Sequence, residues 1–120
     1  MPELKLGLVE ARFADIIWEN EPLSSATLVK LAEKELGWKK STTYTVLKRL
    51  SQRGLFQNQA GIVSSLLSRD EYFAAQSEQF VEETFNGSLP AFVTAFATRK
   101  SLSEDELNQL QSLINQIRGE

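Results

Sequence analysis

Between Lys40 and Arg49 the chain reads Lys40-Ser41-Thr42-Thr43-Tyr44-Thr45-Val46-Leu47-Lys48-Arg49, a run dense in hydroxyls and cations. At the helical period Thr42, Thr45 and Arg49 fall at i, i+3 and i+7 on one face, with Ser41 and Lys48 beside them. Thr43, Val46, Leu47 and Leu50 then form the opposite, inward stripe. A hydroxyl donates to or accepts from base edges and phosphate, and a guanidinium can grip guanine O6 and N7 with two bonds. Lysine adds a point charge suited to phosphate. The candidate DNA-contacting set is therefore Lys40, Ser41, Thr42, Tyr44, Thr45, Lys48 and Arg49. The same pattern also describes a plain amphipathic helix with a solvated outer face.

Charge distribution bears on that choice. The 120 residues carry a net charge of -3, which by itself argues against a polyanionic partner. Residues 22–69, however, hold eight cations against only Glu33 and Glu35, while residues 1–21 hold two against five anions and residues 70–120 three against nine. A basic middle between acidic ends is the electrostatic footprint of a DNA-binding segment, although a solvated basic face gives the same count.

The chain contains no cysteine and no histidine. Thiolate and imidazole metal sites are excluded, along with the usual neutral-pH proton shuttle. A carboxylate pair for hydrolysis needs a shaped cleft that so short a helical chain rarely builds. The reading is a non-enzyme with no cofactor and no metal site. No apolar stretch approaches the roughly 20 residues of a membrane span, and Met1-Pro2-Glu3 lacks the basic start of a signal peptide. A cytoplasmic protein without a membrane partner is expected.

The elements that must carry the contact set follow from periodicity and capping residues. Val9, Phe13, Ile16 and Ile17 mark the buried face of a first helix over about Leu8 to Glu19, broken by Glu21-Pro22. Ser24 or Ser25 caps a second, with Leu28, Val29, Ala32 and Leu36 inside and Gly37 as its stop. The third is expected to begin near Ser41 as its cap and to close at Gly54. Leu55-Phe56 and Ile62-Val63, separated by the polar turn Gln57 to Gly61, read as a small hairpin. Capping boxes at Ser68/Glu71 and Ser103/Glu106 open a fourth and a last helix, and Asn86-Gly87 precedes a short fifth helix with Pro90 in its first turn. In the last helix Leu107, Leu110, Ile114 and Ile117 follow the a/d rhythm of a helix-pairing seam. Phe80, Phe92 and Phe96 fit a helical dimer core better than an inducer pocket, and Trp18 and Trp38, flanking apolar stripes, fit packing better than base stacking. The acidic run Glu104-Asp105-Glu106 suits a helix N-terminus rather than a metal.

Three helices followed by a hairpin is the order of a winged helix-turn-helix, in which the third helix enters the major groove and the hairpin touches the flanking backbone. The fold class is mainly α: a winged helix-turn-helix with a C-terminal helical dimerisation region, divided as residues 1–69 and 70–120. The chain also resembles the penicillinase and methicillin-resistance repressors grouped with copper-responsive repressors, the BlaI/MecI/CopY type. The resemblance rests on Ile16-Ile17-Trp18, on Trp38, on the run Thr42 to Leu50 leading to Gly54, and on Asn86-Gly87-Ser88-Leu89 and Leu102-Ser103-Glu104-Asp105-Glu106-Leu107. It implies a homodimeric transcriptional repressor on palindromic double-stranded operator DNA, with base-reading positions at Ser41, Thr42, Thr45 and Arg49. It further implies that the last three helices intertwine with a second chain, here through Phe80, Phe92, Phe96, Leu107, Leu110, Ile114 and Ile117.

Three departures qualify what is carried over. Penicillinase-type members are inactivated by proteolysis between Asn and Phe in the fifth helix, and that pair is Ala95-Phe96 here. The cysteine cluster of copper-responsive members is missing, which excludes thiolate metal sensing and leaves release by proteolysis, by a ligand or by a partner protein open, a sensor protease or an inducer being the candidate partners. The segment from Gln57 to Ser68 holds no Lys or Arg, unlike wings that grip phosphate. The last departure and the net charge of -3 motivate a rival reading: a winged-helix protein-interaction module without DNA binding.

Overall fold

The computed structural model describes residues 5–120, and the Met1-Pro2-Glu3 start lies outside them. The element order is α1 (Leu8–Asn20), β1 (Leu23–Ser24), α2 (Ser25–Leu36), α3 (Lys40–Gln52), β2 (Phe56–Gln59), β3 (Ile62–Ser65), α4 (Arg69–Phe85), α5 (Leu89–Arg99) and α6 (Glu104–Arg118). Two compact units meet in the sequence after Glu78. The first turn of α4 packs with the N-terminal unit. Tyr72 is buried there, its ring lies 5.5 Å from that of Trp18, and its hydroxyl accepts the Leu6 N–H at 3.2 Å.

In the N-terminal unit α1, α2 and α3 close on one another and on the sheet around Phe13, Ile17, Leu28, Leu50, Leu55, Phe56 and Val63, all fully buried. Each large side chain removed from water contributes roughly 1.5–3 kcal/mol before chain entropy is counted. Val9, expected on the inner stripe of α1, is instead half exposed. Periodicity marks the face of a helix, not how far along its axis the packing extends. Ser24 caps α2, its Oγ accepting the Thr27 N–H at 3.0 Å. Gly37, at φ 70°, ends that helix by donating to the carbonyls of Ala32 and Glu33.

The hairpin forms with longer strands and a tighter turn than the sequence suggests. Gln57 to Gln59 join β2, and only Ala60 and Gly61 turn, at φ 52° and 84°. Two successive positive φ values match the twist of the paired strands. A third strand went unpredicted: β1 pairs antiparallel with β3, Leu23 opposite Val63, giving the order β1-β3-β2. Glu21 anchors this edge, its Oε1 accepting from the Ser65 N–H at 2.8 Å and the Ser65 hydroxyl at 2.7 Å.

The C-terminal unit takes the remainder of α4 together with α5 and α6. Ser88 Oγ accepts the Ala91 N–H at 3.1 Å and Pro90 occupies the first turn of α5. At α6 the expected capping box is present, with Ser103 Oγ accepting the Glu106 N–H and Glu106 Oε1 accepting the Ser103 N–H. No side chain of α5 or α6 is fully buried. Among the described residues no helix is long and apolar enough to cross a membrane.

Candidate nucleic-acid interface

Helix α3 is held by Thr43, Val46, Leu47 and Leu50, all buried, so its opposite face is fixed in direction. That face presents Lys40, Ser41, Thr42, Tyr44, Thr45, Lys48 and Arg49, every one exposed. The N-cap lies two residues earlier than expected. Lys39, not Ser41, is its N-cap, extended at φ -73°, and no side chain caps the first turn. Trp38 packs on Phe13 with ring centroids 5.0 Å apart, and this tertiary contact decides where the chain turns into the helix. The Ser41 hydroxyl is thus left on the outer face. The Ser41 carbonyl accepts the Thr45 hydroxyl at 2.9 Å, which leaves the Thr45 oxygen able to accept elsewhere.

Two further members of the set are bonded to other helices. The Tyr44 hydroxyl donates to Ser25 Oγ at 3.1 Å, tying α3 to the start of α2 and bracing the angle of the helix-turn-helix. Arg49 forks onto Glu10 of α1, with Nε 3.2 Å and Nη2 2.9 Å from Oε2, while Arg53 Nη1 stands 3.9 Å from the same oxygen. The other oxygen, Oε1, accepts the Gly7 N–H at 3.0 Å. That backbone bond, joined by Arg49 and Arg53 and opposed by partial burial, holds the Glu10 carboxyl below its ordinary pKa. Arg69 is likewise occupied, bonded to Asp15 at 3.0 Å and Glu19 at 3.3 Å and lying over the Trp18 ring.

The basic middle of the chain is therefore partly neutralised by α1, and the cations of the α3 region without an ion pair among the described residues are Lys39, Lys40 and Lys48. Trp18 donates its indole N–H to the Leu67 carbonyl at 3.0 Å and packs on Phe56, a structural post. In the wing, Asn58 and Gln59 are exposed and uncharged, and Gln57 donates to Ser64. Sequence reasoning missed Glu10, Ser25 and Glu21, whose partners lie 39, 19 and 44 residues away; no local pattern marks such pairs.

The C-terminal candidates form a connected apolar surface. Phe80, Phe85, Phe92 and Phe96 are linked ring to ring at 5.6–6.3 Å. A groove of about 400 Å³ is lined by apolar side chains of α5 and α6, among them Phe92, Phe96, Leu110 and Leu113, together with the polar Glu106 and Gln109. Leu107, Leu110, Ile114 and Ile117 all remain substantially exposed. Glu104, Asp105 and Glu106 open α6, and among the described residues no three metal-binding side chains gather.

Three helices around one core, a helix-turn-helix formed by the second and third, and a hairpin immediately after define a winged helix-turn-helix protein. The chain belongs to the penicillinase repressor family, whose sequence profile matches residues 6–116. It is similar to the methicillin resistance regulatory protein MecI of Staphylococcus aureus, 23% identical over 92% of this chain and 94% of that protein. It is also similar to the penicillinase repressor of Bacillus licheniformis, at 22% over 89% and 87%, and to MecI of Mammaliicoccus sciuri, at 22% over 92% and 94%.

Proposed function

We propose that this protein is a cytoplasmic transcriptional repressor that binds palindromic operator DNA as a homodimer, with α3 of each protomer in the major groove. The observation that carries this reading is the outer face of α3: hydroxyls at Ser41, Thr42 and Thr45 and cations at Lys40, Lys48 and Arg49, held outward by four buried residues on the opposite side. The names of its relatives, which are repressors and resistance regulators, support the regulatory role. Residues 1–69 serve as the DNA-binding part and residues 70–120 as the dimerisation part. The exposed apolar surface of Phe80, Phe96, Leu107, Leu110, Ile114 and Ile117, with the half-buried Phe92 among them, supports a second chain as its cover.

Phosphate is contacted mainly by Lys40 and Lys48, and the uncharged wing adds little to non-specific affinity. Release comes by proteolysis, by a ligand or by a partner protein, each of which would separate or respace the two reading helices. The test is a titration with duplex DNA at two salt concentrations. Binding weakens as salt rises, and Lys48→Ala flattens the logarithmic salt dependence by about one unit. Binding that is absent, or indifferent to salt, favours the rival reading of an interaction module, which the uncharged wing and the ion pairing of Arg49 and Arg69 to α1 support.

A further inference from the structure

Helix α1 contributes a carboxylate to the reading face of α3. Glu10 divides its two oxygens between different tasks: Oε1 accepts the Gly7 N–H, and Oε2 takes Arg49 through Nε and Nη2. The first bond fixes the carboxylate against its own helix, so the second is made by a group that cannot swing freely. A guanidinium has five N–H donors in a planar fork. Glu10 occupies the side edge and leaves the end edge, Nη1 and the second hydrogen of Nη2, unused by it. The Glu10 side chain is only 21% exposed and the Arg49 side chain 53%, so the pair is rooted at the carboxylate and open at the guanidinium.

We propose that Glu10 is the positioning residue for Arg49, orienting the end edge of its guanidinium for a bidentate contact to guanine O6 and N7 and restraining it from indiscriminate phosphate contacts. This rests on the reading of α3 as the DNA-reading helix. Arg49 prefers a guanine edge because its approach is already set, whereas an untethered arginine reaches any nearby phosphate. The negative charge of Glu10 also weakens the local pull on the DNA backbone, which costs affinity equally for every sequence. Glu10 therefore raises discrimination while lowering non-specific affinity.

The experiment compares the full-length wild type with Glu10→Gln, Arg49→Ala, Arg49→Lys and the double variant Glu10→Gln/Arg49→Ala. The probes are a duplex selected by the wild-type protein from a randomised pool and a scrambled duplex of the same length and composition. Glutamine still offers an oxygen to the Gly7 N–H, so the start of α1 keeps its capping acceptor. Glu10→Gln is expected to tighten binding to the scrambled duplex and to lower the selected-to-scrambled ratio by about tenfold, within the range of one bidentate base contact. Arg49→Lys, which keeps the charge but not the fork, lowers the ratio without depending on the integrity of α1. In the Arg49→Ala background Glu10→Gln lowers the ratio no further. A fall in affinity for both duplexes alike, an unchanged ratio, or an equal loss with and without Arg49 overturns the assignment. Should the wild type discriminate while Arg49→Ala keeps the full ratio, α3 remains the reading helix and the role of Glu10 is lost. Should the wild type select no duplex, the DNA reading itself fails and takes this one with it.

Discussion

In the N-terminal unit Phe13, Ile17, Leu28, Leu50, Phe56 and Val63 are removed from solvent by neighbours in the same chain, whereas residues 79–120 contain no side chain so completely buried. The second unit is not poor in apolar residues. Phe80, Leu89, Val93, Phe96, Leu107, Leu110, Leu113, Ile114 and Ile117 are all at least two-fifths exposed. The N-terminal unit has layers that close on each other, with three helices meeting a sheet. The C-terminal helices have sound caps and continuous stripes but too few opposing surfaces within their own unit. Fewer than about 70 residues rarely build a sufficient core without further support, and association is one of the usual remedies. One region thus has a closed core of its own, and the other leaves its apolar stripes open.

That contrast is sharpest under core truncation. Phe56→Ala should cost the N-terminal unit about 3–5 kcal/mol, the usual loss for a buried aromatic ring. Thermal unfolding followed at low and high protein concentration should show the same loss at both. A penalty that disappears on concentrating the protein would mean that the winged unit also draws on association.

Breaking the other region should leave the winged core folded but uncouple the reading helices. Leu110→Asp combined with Ile114→Asp is expected to give monomers by sedimentation and to weaken operator binding about 100-fold or more, because the second half-site is no longer held at high effective concentration. A double variant that still sediments as a dimer would show that the α6 stripe is not the seam. The smallest effect is expected at Ala95-Phe96, inside α5. A sensor protease that requires Asn before Phe should leave the chain at full mass after incubation, and a mass-mapped cut at this bond would restore proteolysis as the releasing step.

Helices, caps and stripes were legible because each depends on residues within one or two turns. Ser24 before α2, the boxes Ser68/Glu71 and Ser103/Glu106, and Gly37 in its left-handed conformation are such features. The buried face of α3 was legible for the same reason, and with it the exposure of Thr42, Thr45, Lys48 and Arg49. Misjudged features involve contacts across the chain. The two-residue strand β1 exists because β3 is there to pair with it, and α3 starts at Lys40 because Trp38 packs on Phe13. Val9 stays half exposed although the helical period places it with Phe13 and Ile16.

The charge count shows the same limit. Sequence alone established a basic middle between acidic ends, a winged order of elements, an unpartnered stripe on the last helix and a chain without thiol or imidazole. Only the tertiary structure decided which of those charges remain available. Glu10 holds Arg49, Asp15 and Glu19 hold Arg69, and Lys40 and Lys48 keep no anionic partner among the described residues. Ion pairing acts over a few ångströms in space while a sequence orders residues along a contour, so carboxylates of the first helix neutralise arginines 39 to 54 residues away without leaving any mark in the pattern around either one.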